Sequence, residues 1–162
     1  MQEYLLKTYS RKDVLFKKGE GIWLYSDSGD KFLDCASGIA VNILGHCNKK
    51  LVKVLTEQAQ NLWHTSNLYR VENQENLAKL LVEHTFADRV FFTNSGTEAI
   101  ECAIKMARVY HSKLNQERHE ILSFDGCFHG RSMAAISTSN SDKMKEGFGP
   151  LVPGCKSLDF NN

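Results

Sequence analysis

One stretch, VFFTNSGTEAIECAIKMA from Val90 to Ala107, limits what this chain can fold into. The apolar run Arg89 to Thr93 suits a buried strand. Ala99, Ile100, Ala103, Met106, Ala107 and Tyr110 then recur at spacings of three and four, the period of a helix with one apolar face. A strand that turns directly into a helix is a unit of α/β sheets. Between the two, Ser95 and Glu98 spell S-x-x-E, a capping box that starts a helix and needs no ligand. The same turn also aims free backbone N–H groups and the positive end of the helix dipole at one point, beyond the carboxyl end of a strand, where open α/β sheets bind ligands. Gly96 lets an anion approach the backbone, and Ser95 and Thr97 can donate hydroxyl protons to phosphate oxygens. On these residues alone, cap and phosphate site both remain open. The nucleotide signatures G-x-x-x-x-G-K-[ST] and G-x-G-x-x-G are absent, so a phosphate bound here would belong to another kind of ligand.

The rest of the chain extends the α/β reading. VLFKKGEGIWLYSDSGDKFLDC, Val14 to Cys35, holds three short strand-like runs punctuated by G-E-G and D-S-G-D, which predicts a small antiparallel meander. ASGIAVNILGHCN has no clean period and reads as a loop. Asn48 can cap a helix from Lys49 to about Trp63, and Asn73 a second one ending near Phe86. EILSF, Glu120 to Phe124, is a further strand, followed by a glycine turn and a short helix. The order strand, helix, strand, helix predicts a parallel sheet. The stretch after GFGPLVPGCKSL offers no strand partner to close a core, so the sequence is expected to be the front of a longer protein.

Composition narrows the partners. With 20 basic and 19 acidic residues and a net charge of +1, the chain gives no electrostatic reason to expect nucleic acid or an anionic membrane surface. The five cysteines include no C-x-x-C pair and no zinc-like spacing to the histidines, so they read as reduced thiols, with no metal site. The absence of an apolar segment of membrane-spanning length or of a signal-like start points to the cytoplasm.

Just past the second strand lies Cys127-Phe128-His129-Gly130-Arg131. Taken alone it is a turn with a packed Phe, a polar His and a solvated Arg. Two adjacent strand ends would bring it beside Ser95 to Thr97. Phe128 can then stack on a flat heteroaromatic ring whose phosphate sits on the helix start, and Arg131 can grip a carboxylate in a bidentate contact. An aromatic phosphorylated cofactor and a carboxylate-bearing substrate describe pyridoxal-phosphate chemistry on amino acids.

Taken together and in order, YLLKTYSRKDVLFKKGEGIWLYSDSGDKFLDCASGIAVNILGHCN, FFTNSGTEAIECAIKMAR, ILSFDGCFHGRSMAAIS and GFGPLVPG resemble the front of the class III, or ω-type, aminotransferases of fold type I. The resemblance runs from about Tyr4 to about Asp159. SGIAVNILGH and GFGPLVPG resemble in particular the branch that acts on N2-acetylornithine. It implies an α/β fold of the aspartate-aminotransferase type. Residues 1–48 would form an N-terminal arm and part of the small domain, and residues 49–162 would begin the large domain with its mixed, mostly parallel sheet.

The resemblance also implies roles. Ser95, Gly96 and Thr97 would bind the phosphate of pyridoxal 5'-phosphate, Phe128 would stack on its ring with His129 beside it, and Arg131 would bind the carboxylate of N2-acetylornithine and of 2-oxoglutarate or glutamate. The implied reaction moves the δ-amino group of N2-acetylornithine to 2-oxoglutarate in arginine biosynthesis, by a cytoplasmic homodimer. The family's cofactor-bearing lysine, the aspartate that pairs with the pyridine nitrogen and a second substrate arginine are expected beyond Asn162. Lys105, mid-helix, does not match the lysine's context, so the 162-residue chain is expected to be inactive alone. Cys155 stands where an aromatic residue is expected. Ornithine, succinyl-diaminopimelate and 4-aminobutyrate remain alternative donors, and a non-catalytic truncated product or interaction fragment is the alternative of another class.

Overall fold

The computed structural model describes residues 4–161. The elements follow in the order β1 (Phe16–Glu20), β2 (Trp23–Ser26), β3 (Lys31–Leu33), α1 (Ser37–Ala40), α2 (Lys49–Asn61), α3 (Glu72–His84), α4 (Gly96–Lys113), β4 (Ile121–Phe124), α5 (Met133–Ser137), α6 (Asp142–Lys145) and β5 (Cys155–Leu158). They divide into two compact units between Glu72 and Asn73.

In the first unit, β1, β2 and β3 form the expected antiparallel meander, with Glu20 opposite Trp23 and Trp23 opposite Leu33. The G-E-G turn works because Gly21 takes a positive φ of 57°, which costs a side-chain-bearing residue steric strain. Phe16 and Phe32 meet edge to face at 5.5 Å, and the Lys31 ammonium sits 4.0 Å from the Trp23 ring centroid. The segment after β3 is less featureless than a plain loop. Its single turn α1 has positive φ at all four residues, Ser37, Gly38, Ile39 and Ala40. Asp34 anchors it: one carboxylate oxygen accepts the N–H groups of Ala36 and Ser37 at 3.1 and 2.8 Å, and the other lies 2.7 Å from His46 Nε2. The His46 contact, more than the backbone donors, holds the Asp34 carboxyl below its ordinary range. Asn48 caps α2 as expected, its Oδ1 accepting from Lys50 N at 3.1 Å and Leu51 N at 3.4 Å.

In the second unit, β4 and β5 pair in parallel, Ile121 opposite Cys155 and Phe124 opposite Leu158. The sequence pattern assigns no element to Cys155–Leu158. Cys-Lys-Ser-Leu is too short and too polar to announce itself, and it becomes a strand because β4 supplies the ladder. A correction concerns Arg89 to Thr93, expected as a buried strand, which forms no strand among the described residues. Strand structure is made by pairing. No described segment pairs with this run, and Phe91 stays 72% exposed. Helix α3 begins at Glu72, so Asn73 lies in its first turn and not at the cap.

The core of this unit is small and rich in hydroxyls. Ile104 of α4 and Ala135 and Ile136 of α5 are buried together with Ser123, Ser137, Thr138 and Ser139. Burying a hydroxyl is tolerable only if it is hydrogen-bonded. Ser123 donates to the Thr138 carbonyl, Ser137 donates to the Met133 carbonyl and accepts from Val152 N, and Thr138 donates to the Ala135 carbonyl. Arg108, three turns along α4 from Thr97, donates to the carbonyls of His119 at 3.2 Å and Pro153 at 2.7 Å, just before β4 and β5. The sheet therefore holds α4 at its far end and leaves its amino end for the site.

Candidate active site

The site is built on the first turn of α4. Ser95 is the N-cap, with extended backbone, and its Oγ accepts the Glu98 N–H at 3.3 Å. Glu98 reaches back, its Oε2 accepting the N–H groups of Asn94 at 2.6 Å and Ser95 at 3.0 Å and its Oε1 accepting Asn94 Nδ2 at 3.3 Å. The capping box is formed in full. The bond from the Asn94 side chain, followed by the backbone donors, lowers the Glu98 carboxyl below its ordinary range.

The box uses the N–H groups of Ser95 and Glu98, and it leaves those of Gly96 and Thr97 without an acceptor among the described residues. The two orphan donors open onto the same side as the positive helix end. The Ser95 hydroxyl is engaged with Glu98 in the box, and the Thr97 hydroxyl has no protein partner among the described residues. A Cβ placed on Gly96 would meet nothing within 4 Å, which leaves the approach to the backbone open.

The second motif comes to the same place. Gly130 is buried with φ of 119°, and a Cβ there would fall 2.1 Å from Thr97 Oγ1, so only glycine allows the loop to lie against α4. Gly96, Thr97, Ile100, Phe128, His129 and Gly130 line one cleft. Phe128 is two-thirds exposed beside it, and the Arg131 guanidinium stacks 5.8 Å from the Phe128 ring centroid. Arg131 also lines a second cleft with Met133, Ile136, Lys143, Met144 and Phe148.

His129 is tied to the end of α5: its Nδ1 lies 2.8 Å from Thr138 Oγ1, which also lies 2.8 Å from the Ala135 carbonyl oxygen. Cys127 Sγ is 3.7 Å from the same nitrogen. The structure thus brings Ser95, Gly96, Thr97, Phe128, His129 and Arg131 within one neighbourhood. Sequence reasoning did not single out Thr138, nor the bond from the Ser132 hydroxyl to the Glu101 carboxylate. The partners of each pair are 9 and 31 residues apart, and no local pattern announces them.

Unpaired N–H groups and a free threonine hydroxyl at a helix start, next to an exposed aromatic face, fit a phosphorylated flat ring. Residues 6–162 match the family described as aminotransferase class-III. The chain belongs to the class III aminotransferases. It is 57% identical to the acetylornithine aminotransferase of Rhodobacter capsulatus and 52% identical to that of Agrobacterium fabrum, in each case over 98% of this chain and 40% of the relative. The chain therefore spans about two fifths of the length of these class III relatives. Among solved structures, the ornithine aminotransferase of Toxoplasma gondii, crystallized with partial occupancy of pyridoxal phosphate at its active site, superposes with a TM-score of 0.93 at 25% identity, over 99% of this chain and 38% of that one. The fold is that of the pyridoxal-phosphate-dependent class III transaminases, present in part.

Proposed function

We propose that the complete protein containing this chain transfers the δ-amino group of N2-acetylornithine to 2-oxoglutarate, with pyridoxal 5'-phosphate as cofactor, as a cytoplasmic homodimer. The observation that carries the reading is the meeting of the two motifs across Gly130 and Thr97, which puts orphan anion donors, an aromatic face and a guanidinium side by side. The donor assignment is supported by 57% and 52% identity to two acetylornithine aminotransferases. Residues 1–48 are the N-terminal arm and part of the small domain, and residues 49–162 begin the large domain.

When bound, the cofactor supplies the electron sink for the carbon that loses its amino group. The N–H groups of Gly96 and Thr97 and the hydroxyls of Ser95 and Thr97 hold the phosphate. Phe128 covers one face of the ring and excludes water from it, and His129 stands beside the ring. Arg131 orients either substrate by its carboxylate, serving donor and acceptor in turn. The lysine that carries the cofactor, the aspartate for the ring nitrogen and the second substrate arginine come from outside residues 1–162.

The test is a donor panel on the complete protein with N2-acetylornithine, ornithine, succinyl-diaminopimelate and 4-aminobutyrate. Acetylornithine is expected to lead in kcat/KM by roughly tenfold or more, since a site with polar partners for one substrate rejects analogues that lack them. A lead for any other donor overturns the assignment. In the same protein, Arg131→Lys should raise KM for both carboxylate substrates roughly tenfold and leave the bound-cofactor spectrum unchanged, because an ammonium cannot reproduce the bidentate fork.

A further inference from the structure

We propose that Glu101 is a positioning residue that sets Arg131 through Ser132, an inference that rests on the reading of Arg131 as the carboxylate-binding group. Arg131 stands between two residues fastened to one face of α4. On one side, buried Gly130 lies against the Thr97 side chain with no room for a Cβ. On the other, the Ser132 hydroxyl donates to a Glu101 carboxylate oxygen. Thr97 and Glu101 are four residues apart on a helix and so lie one above the other. The chain from Gly130 to Ser132 therefore runs along α4, and the backbone of Arg131 is held at both ends.

Ser132 occupies the N-cap position of α5, yet its side chain makes no capping bond to that helix. Its proton goes instead to a carboxylate 31 residues away in sequence. A bond to an ionised acceptor is stronger than one between neutral groups, so this contact, and not local helix capping, fixes the residue that follows Arg131. The Arg131 guanidinium makes no hydrogen bond to the described residues and only stacks on Phe128, so its aim depends on where its backbone is held. Glu101 sits one turn past the donors at the start of α4. It thereby sets the spacing between the anion held at the helix start and the carboxylate held by Arg131.

The test uses the complete enzyme. Glu101→Ala and Ser132→Ala should each raise KM for donor and for 2-oxoglutarate about five- to twentyfold, with a smaller change in kcat. Pyridoxal-phosphate affinity, read by absorbance titration, should change less than about twofold. Glu101→Gln, which keeps an acceptor oxygen, should recover most of the loss. The double variant Glu101→Ala, Ser132→Ala should be no worse than either single one, because both remove the same bond. Unchanged KM in both alanine variants overturns the proposal, as do additive losses in the double variant or an equal loss of cofactor affinity and thermal midpoint. Arg131→Ala separates the two readings: if it leaves KM unchanged, the assignment of Arg131 falls, and if it raises KM while Glu101→Ala does not, the positioning role alone falls.

Discussion

Ser95 and Ser132 hold the same local position, the N-cap of a helix with extended backbone, and their hydroxyls do different work. Ser95 accepts the Glu98 N–H and closes a reciprocal box within its own turn. Ser132 leaves its helix uncapped and gives its proton to Glu101 on another element. The first arrangement is complete within four residues and would form in any helix with that sequence. The second exists only because the loop from Cys127 to Arg131 is laid against α4. The contrast separates a helix start that is organised locally, and so keeps its donors free for a ligand, from one that is organised by tertiary contact and so serves to place its neighbour.

The most severe way to break this arrangement is to force the two helix starts apart. Gly130→Ala inserts a Cβ 2.1 Å from Thr97 Oγ1 at a φ of 119°, combining a steric overlap with an unfavourable backbone conformation. Each effect is worth one to a few kcal/mol, so a loss of about 3 kcal/mol in urea unfolding is expected, together with weaker cofactor binding. Stability near that of the parent would mean that the loop does not rest on Thr97.

A smaller effect tests the local half of the contrast. Ser95→Ala should cost about 1 kcal/mol, the usual value of a lost N-cap, and speed amide exchange at Glu98, whose N–H loses its acceptor. Ser132→Ala should leave the first-turn amides of α5 exchanging as before, since that side chain caps nothing. Faster exchange there would erase the distinction between the two serines.

The smallest expected effect is a pH dependence. The Glu98 carboxyl is lowered in the folded chain by its bonds from Asn94 and Ser95, so the unfolded state takes up its proton first as pH falls. The stabilisation is fully present above the ordinary glutamate value and is lost as pH drops through the lowered folded value. Amide protection at Asn94 and Ser95 should fade over that acid range, and Glu98→Gln should remove the fading. Protection that is independent of pH would show that the carboxylate does not hold the turn.

Much of the fold was legible because its cause is local. The meander follows from G-E-G and D-S-G-D, α2 from Asn48 and its apolar period, and α4 from Ser95, Glu98 and the spacing of Ile100, Ala103 and Ala107. The illegible parts are those whose cause is distant. Cys155 to Leu158 is a strand because β4 lies beside it, and Arg89 to Thr93 is not one because no described segment does. The positive-φ turn from Ser37 to Ala40 is held by Asp34, and Asp34 in turn by His46, 12 residues away.

The sequence by itself determined the helix start at Ser95 and, through its ordered motifs, membership in the class III aminotransferases, because a capping box and a family pattern are both written in consecutive residues. Tertiary structure alone decided that Gly130 closes on Thr97, that Thr138 meets the His129 ring and that Glu101 holds Ser132. The physical reason is range. A hydrogen bond to a near neighbour needs only the local backbone, whereas a bond across tens of residues forms only after packing has brought its partners together.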